Sequence, residues 1–353
     1  MIQKLAKQLN CGEAALIVSL ENRTYFTGFE SSNGYLFVSQ KGSVFITDSR
    51  YIESAKNQVK SCDDVILQTQ LKTQLAEVAK KLGANKILLE AQKTTIANYN
   101  SYKKMFSDFE VSATGELDDF INELRAIKSQ EEKENIIKAQ RIAEKSFDFI
   151  LGYIRPGKTE REIACGLDYF MLKNGADAIS FKTIVVSGKN SSKPHGEPSE
   201  KRFEIGDFIT MDFGACIKGY HSDMTRTVAL GDVSSRQAKV YDTVLSAQLS
   251  AIDTVCAGIA ASECDLAARQ IIDHAGYGEN FGHGTGHGVG IEIHEKPTVS
   301  KNSTEILRAG NIITIEPGIY IENSFGVRIE DMLFVKDGGS ENLTNAPKAL
   351  MVL

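Results

Sequence analysis

Several things are missing from this chain, and each absence narrows what it can be. The six cysteines (Cys11, Cys62, Cys165, Cys216, Cys256, Cys264) form no CxxC pair and follow no regular spacing. That is the pattern of reduced, mostly buried thiols in a reducing compartment. No apolar run is long enough to cross a bilayer. The early run "AALIVSL" (14–20) is short, follows Glu13 and ends in "ENR", unlike an export signal. A cytoplasmic protein is expected. Basic residues are not in excess, 40 against 46 acidic for a net charge of −6, so neither a nucleic-acid footprint nor a polybasic membrane anchor is expected. Low-complexity segments are absent. Histidine is absent from the first 194 residues, and all six lie between His195 and His294. Metal or acid–base chemistry therefore belongs to the C-terminal part.

What is present describes a folded two-domain protein. The 353 residues are 42% hydrophobic and 24% charged, enough to bury a large core. In residues 1–125, "EAALIVSL", "GYLFVSQ" and "GSVFITD" read as strands separated by the turns "ENR", "SSNG" and "KG". "SRYIESAKNQV" and "LKTQLAEVAKKLG" read as helices, and "KILLE" returns to strand. Hairpin-length loops between the early strands predict a smaller α/β domain with a mixed sheet. Ser129 with Glu132 forms a capping box that opens a long amphipathic helix, and Thr159 with Glu162 opens another, stopped by Gly175. The boundary is placed just before the first, giving domains 1–125 and 126–353. From 183 onward strands dominate, broken by a helical run near 235–275, so the chain as a whole is α+β.

"GYIRPGKT" (152–159) matches the phosphate-loop pattern GxxxxGK[ST], but it follows an amphipathic helix instead of a buried strand. It reads as a helix–turn–helix connection. "MDFGACIKGYHSDMTRT" (211–227) carries more. Folded as a hairpin centred between Ile217 and Lys218, it sets Asp212 opposite Asp223, where like charges repel unless a cation lies between them. "NIITIEPGIYIENSFGVRIEDMLFV" (311–335), turned at Asn323, sets Glu316 opposite Glu330, each within an apolar run. Unpaired buried carboxylates are costly, so four of them on two hairpins point to polyvalent cations and hint at pseudo-symmetric halves. "FGHGTGHGVGIEIHEKP" (281–297) lies between the hairpins, and its glycines let His283, His287 and His294 face a shared cleft. One imidazole with four carboxylates suits a pair of divalent ions such as Mn, Co, Zn or Fe(II).

With "SKPHGEPSEK", "TIEPGIY" and "GVRIED", these motifs resemble the pita-bread metallopeptidases, in the prolidase and aminopeptidase P branch. The N-terminal part, in "NRTYFTGFESSNGYLFV" and "TDSRYIESA", is similar to that branch's accessory domain. The resemblance implies two metal ions per subunit, with manganese expected. It implies as ligands Asp212, Asp223, His287, Glu316 and Glu330, and selects His287 over His283 because the ligand stands seven residues before the histidine of "IHEKP". It further implies Glu316 as proton acceptor, His195 and His294 as substrate-holding and catalytic histidines, and Arg328 as an organiser of the carboxylates. His283 is expected to line the substrate site; Tyr220 either lines the cleft or packs. His221 and His274 are assigned nothing.

The expected activity is hydrolysis of the Xaa–Pro bond at peptide N-termini, with a dipeptidase restricted to Xaa-Pro as the alternative; no inserted loop is seen to close the far end of the cleft. Methionine aminopeptidase is remoter, given the N-terminal domain and the "RIED" context. Creatinase-like enzymes and non-catalytic binding modules of this fold have lost ligands that this chain retains. The resemblance also implies a homodimer, with peptides carrying proline second as the only other partners.

Overall fold

The structure, a computed structural model, describes residues 1–353. It divides into two compact units, Met1–Arg125 and Ala126–Leu353. In the first, six strands run in the order Asp64–Leu67, Gly42–Thr47, Tyr35–Ser39, Glu13–Ile17, Lys86–Leu89, Glu110–Ser112. The three N-terminal strands pair antiparallel, the second and third through a short loop and the first and second across residues 18–34, and the remaining pairs are parallel. The sheet is mixed, as expected, although only the loop between Tyr35–Ser39 and Gly42–Thr47 is of hairpin length. Helices Ile52–Gln58 and Leu71–Lys81 fall where periodicity puts them.

"ENR", expected as a turn, belongs instead to a helix, Leu20–Thr27, capped by Ser19. It buries polar residues beside the aromatic Tyr25 and Phe26. Arg23 and Asn22 are buried, and Glu90 accepts from Val18 N, Ser19 N, Ser19 Oγ and Asn22 Nδ2. A helix that buries hydrogen-bonded polar groups shows no apolar stripe to read. The cysteines also depart from expectation. All are free thiols, but Cys11 and Cys165 are exposed and only Cys216 and Cys264 are fully buried.

The second unit begins with Gln130–Leu151 and Glu160–Lys173, both with complete capping boxes. The GxxxxGK[ST] match is the link between these helices. Ile136, Ala139, Ala143, Phe147 and Ile150 are buried at helical spacing. Phe147 stacks on Phe213, ring centroids 6.5 Å apart, within a core that joins both helices to the sheet Ile184–Ser187, Phe208–Phe213, Met224–Ala229. A second helix pair, Ser235–Thr254 and Ala261–His274, packs on a five-stranded sheet through Val244, Ala268, Ile313 and Leu333. Two helix pairs, each backing a sheet, leave the opposite sheet faces to build a cleft. Each fully buried aliphatic or aromatic side chain contributes about 1.5–3 kcal/mol to holding that frame. No helix is long and apolar enough to cross a membrane.

Candidate metal centre

The cleft has a volume of about 550 Å3 and is lined by all five expected ligands and by His195, His283, His294 and Arg328. His221 and His274 do not line it; His221 Nδ1 lies 2.9 Å from Ser180 Oγ. Tyr220 packs: its hydroxyl donates to Glu132.

Asp212 is on the strand Phe208–Phe213 and Asp223 immediately precedes Met224–Ala229. Their predicted pairing is off by two residues, because Asp212 lies opposite Thr225. The cause is the turn. Lys218 and Gly219 both adopt left-handed φ, 51° and 79°, forming a two-residue primed loop whose centre lies one residue beyond the predicted one. A two-residue slip returns every side chain to its own face, so both aspartates still line the cleft. The second hairpin keeps its predicted register. Gly318 pairs with Arg328 and Ile321 with Phe325 around Asn323, whose φ is 56°. Ile315 pairs with Asp331 beyond it, leaving Glu316 and Glu330 at the break between the two ladders.

Three of the four acids are held by one oxygen. Arg328 Nη2 donates to Asp212 Oδ2 at 2.5 Å, Thr225 Oγ1 to Glu330 Oε2 at 2.7 Å, and Thr314 Oγ1 to Glu316 Oε1 at 3.3 Å. From behind, the buried Arg226 donates to the Glu330 carbonyl and pairs with Asp331, fixing the backbone that carries Glu330. His287 Nδ1 donates to the Gly288 carbonyl, since a carbonyl only accepts. Its Nε2 therefore presents a lone pair, 3.4 Å from Glu316 Oε1 and 3.6 Å from Asp223 Oδ2. Burial holds its pKa down at about 4, so it is a neutral donor.

Three buried oxygens have no partner at all: Asp212 Oδ1, Asp223 Oδ1 and Glu330 Oε1. One guanidinium faces four carboxylates. Burial and mutual repulsion raise Asp223 and Glu330 well above the usual carboxylate range, and burial lifts Glu316 to about 8. Protein groups alone do not satisfy this set; divalent cations do. Asp223, His287 and Glu330 bring one ligand atom each within 4.8 Å of one another. Oxygen donors with one imidazole fit Mn, Co, Zn or Fe(II).

Around the acids the histidines divide. The His294 and His287 rings lie 4.3 Å apart, and His294 and His195 are both exposed towards the cleft. His283 is committed within the protein: Nδ1 donates to the Gly284 carbonyl, so Nε2 accepts from the Tyr320 hydroxyl at 2.9 Å. Tyr320 in turn accepts from Arg328 Nη1 at 2.8 Å. Both His283 ring nitrogens are thus occupied. Tyr320, Thr225 and Thr314 were not singled out in the sequence. Thr225 had a signal, standing two residues from Asp223 on one strand face; Tyr320 had none.

A buried, carboxylate-rich cleft between two sheets defines a metal-dependent hydrolase by fold and chemistry. Comparison with known proteins gives the family. Residues 134–337 match metallopeptidase family M24, and residues 2–127 match the creatinase/prolidase N-terminal domain. A curated Xaa-Pro dipeptidase of Pyrococcus horikoshii is 38% identical over 97% of this chain and 95% of its own. The solved Xaa-Pro dipeptidase from Bacillus anthracis superimposes with a TM-score of 0.95 at 39% identity, covering 100% of this chain and 99% of that one. An X-Pro aminopeptidase from Thermotoga maritima superimposes at 0.90 with 36% identity, covering 99% of each chain. The chain belongs to metallopeptidase family M24 and is a pita-bread enzyme with a creatinase/prolidase N-terminal domain.

Proposed function

We propose that the protein is an Xaa-Pro dipeptidase using two divalent ions, with manganese the expected metal, held by Asp212, Asp223, His287, Glu316 and Glu330. Residues 126–353 form the catalytic domain and residues 1–125 an accessory domain. The observation that carries the reading is the cluster of unpartnered carboxylate oxygens beside a neutral imidazole at the floor of the cleft. The dipeptide preference reverses the order set by sequence, which put the aminopeptidase first. It is supported by relatives named Xaa-Pro dipeptidase at 36–39% identity across nearly the whole chain.

When bound, divalent ions supply a Lewis acid and a water activated near neutral pH. The chain's own groups do the rest. Glu316, with Oε1 held by Thr314, takes the water's proton at Oε2 and returns it to the leaving imino nitrogen. His294 donates a hydrogen bond to the carbonyl oxygen as charge develops there. His195 holds the substrate, and Arg328 keeps Asp212 aimed. The Xaa–Pro nitrogen has no N–H, so recognition falls on the ring and the free carboxylate.

Apart from the histidines, only Lys182 and Arg328 are basic among the lining residues, and Arg328 is committed to Asp212, Tyr320 and the Pro194 carbonyl. Lys182 sits at the rim, paired with Glu197 at 2.8 Å with both side chains mostly exposed. Exposed pairs are weak, so a substrate carboxylate can compete for Lys182. Rates on Ala-Pro, Ala-Pro-amide and Ala-Pro-Ala with metal restored to stripped protein test the reading: Ala-Pro is expected to be fastest by far. Faster cleavage of Ala-Pro-Ala makes the enzyme an aminopeptidase, and faster Ala-Ala ends the proline reading. Lys182→Ala is expected to raise KM for Ala-Pro by about 3–10-fold, the scale of one exposed charged contact, and to leave KM for Ala-Pro-amide unchanged. Light scattering is expected to give about twice the 38.7 kDa chain mass; an active monomer removes the dimer.

A further inference from the structure

The segment Gly188–Ser199, "GKNSSKPHGEPS", carries His195 into the cleft with no Val, Leu, Ile, Met, Phe or Tyr to anchor it, its apolar side chains being the half-buried Pro194 and Pro198. Two half-buried prolines give hydrophobic packing little to hold, and polar contacts supply the rest. They converge on Glu160, the first residue of the helix Glu160–Lys173 and fully buried. Glu160 Oε1 accepts from Ser187 N at 2.7 Å, Ser187 Oγ at 3.0 Å and Asn190 Nδ2 at 3.2 Å. Oε2 accepts from Ser199 Oγ at 2.6 Å, Ser199 N at 3.1 Å and Asn190 Nδ2 at 3.1 Å. Ser187 and Ser199 are the two roots of the segment, so one carboxylate ties both ends together. Lys201 Nζ donates to Ser187 Oγ at 3.0 Å, and the helix N-terminus favours negative charge at this position. The tip is fixed separately: Gly326 N donates to Ser191 Oγ, and Arg328 Nη1 to the Pro194 carbonyl.

We propose that Glu160 is a positioning residue for catalysis: it clamps the roots of this segment and thereby sets where His195 stands in the cleft. The proposal rests on the role given to His195 above. Glu160 lines no part of the cleft, so it acts only through the segment. Every group facing it is a donor, and an acceptor-only carboxylate meets all of them. An amide of the same shape puts an NH2 against at least one root.

Glu160→Gln is therefore expected to lower kcat/KM for Ala-Pro by about 10–100-fold, the scale of a misplacement near 1 Å, with metal content unchanged. Amide hydrogen exchange across 188–199 is expected to quicken. His195→Ala alone is expected to lose as much or more, and the double variant to lose no more than His195→Ala alone. If Glu160→Gln fails to fold, Ser199→Ala removes the hydroxyl bond at one root while leaving Glu160 and the Ser199 N–H bond in place, and the same non-additivity with His195→Ala is expected. Additive losses overturn the Glu160 proposal while the role of His195 stands. A His195→Ala variant as active as the parent overturns that role and the proposal with it. Wild-type kcat/KM and unchanged exchange in Glu160→Gln overturn the proposal alone.

Discussion

Glu330→Ala is expected to reduce Ala-Pro hydrolysis by about 10³-fold or more while the protein stays folded. Loss of metal-assisted activation together with the proton transfer it supports leaves little of the catalytic machinery, each part being worth about 10²–10⁴-fold. The fold should tolerate the change for an electrostatic reason. Glu330 is a buried carboxylate with Oε1 unpartnered, crowded by Glu316 and Asp212. Removing it from the metal-free protein relieves repulsion. The cost is the Thr225 hydroxyl left without its acceptor, about 1–3 kcal/mol for a buried unsatisfied donor. The two effects offset. The readout beyond activity is thermal: chelator is expected to lower Tm of the parent protein, because a ligand bound only to the native state stabilises it. The chelator shift should be small or absent in Glu330→Ala. Manganese or cobalt should restore activity to the stripped parent but not to the variant. Full activity of exhaustively stripped parent protein would sink the metal mechanism.

The residues that carry this prediction were legible because acids in strands are conspicuous. A carboxylate amid Ile and Phe has few structural explanations, and both hairpins repeated it. The predicted Asp212 register was nevertheless wrong by two residues, because it placed Ile217 and Lys218 in the turn where Gly219 favours the left-handed positions at Lys218 and Gly219 and a β-branched Ile217 resists them. The site survived because a strand's faces repeat every second residue; a slip of one would have turned Asp212 into the core. Polar supports were far less legible. Glu160 reads as a first-turn acid beside a capping threonine, which is ordinary for a helix start. Its partners Ser187, Asn190 and Ser199 are 27–39 residues away. The helix Leu20–Thr27 was hidden in the same way, since it buries Asn22, Arg23, Thr24 and Thr27 beside Tyr25 and Phe26. Apolar periodicity reports burial by hydrophobicity, and a buried hydrogen-bond network leaves no period to find. The proposed dipeptide preference had no signal to read: no inserted loop marks it, and Lys182, proposed to meet the substrate carboxylate, looks like any surface lysine.

His287 and His294 offer the sharpest separation, because their rings lie only 4.3 Å apart and yet they are assigned different work. His287 Nδ1 is tied to the Gly288 carbonyl, and its Nε2 faces Asp223 and Glu316. Its environment keeps the imidazole neutral, which is the state a ligand needs. His294 stands exposed at the cleft. His287→Ala is therefore expected to lower metal occupancy, with excess manganese recovering part of the lost rate. His294→Ala is expected to retain full metal and a near-normal KM, with kcat reduced by about 10²–10³-fold, the scale of one lost oxyanion donor. Metal analysis of the two dialysed variants, beside their kcat and KM, separates these outcomes. If His294→Ala loses metal and His287→Ala keeps it, the ligand chosen by its seven-residue spacing from "IHEKP" is the wrong one. If both keep full metal, the imidazole is no ligand, and the centre is an all-carboxylate site built from Asp212, Asp223, Glu316 and Glu330.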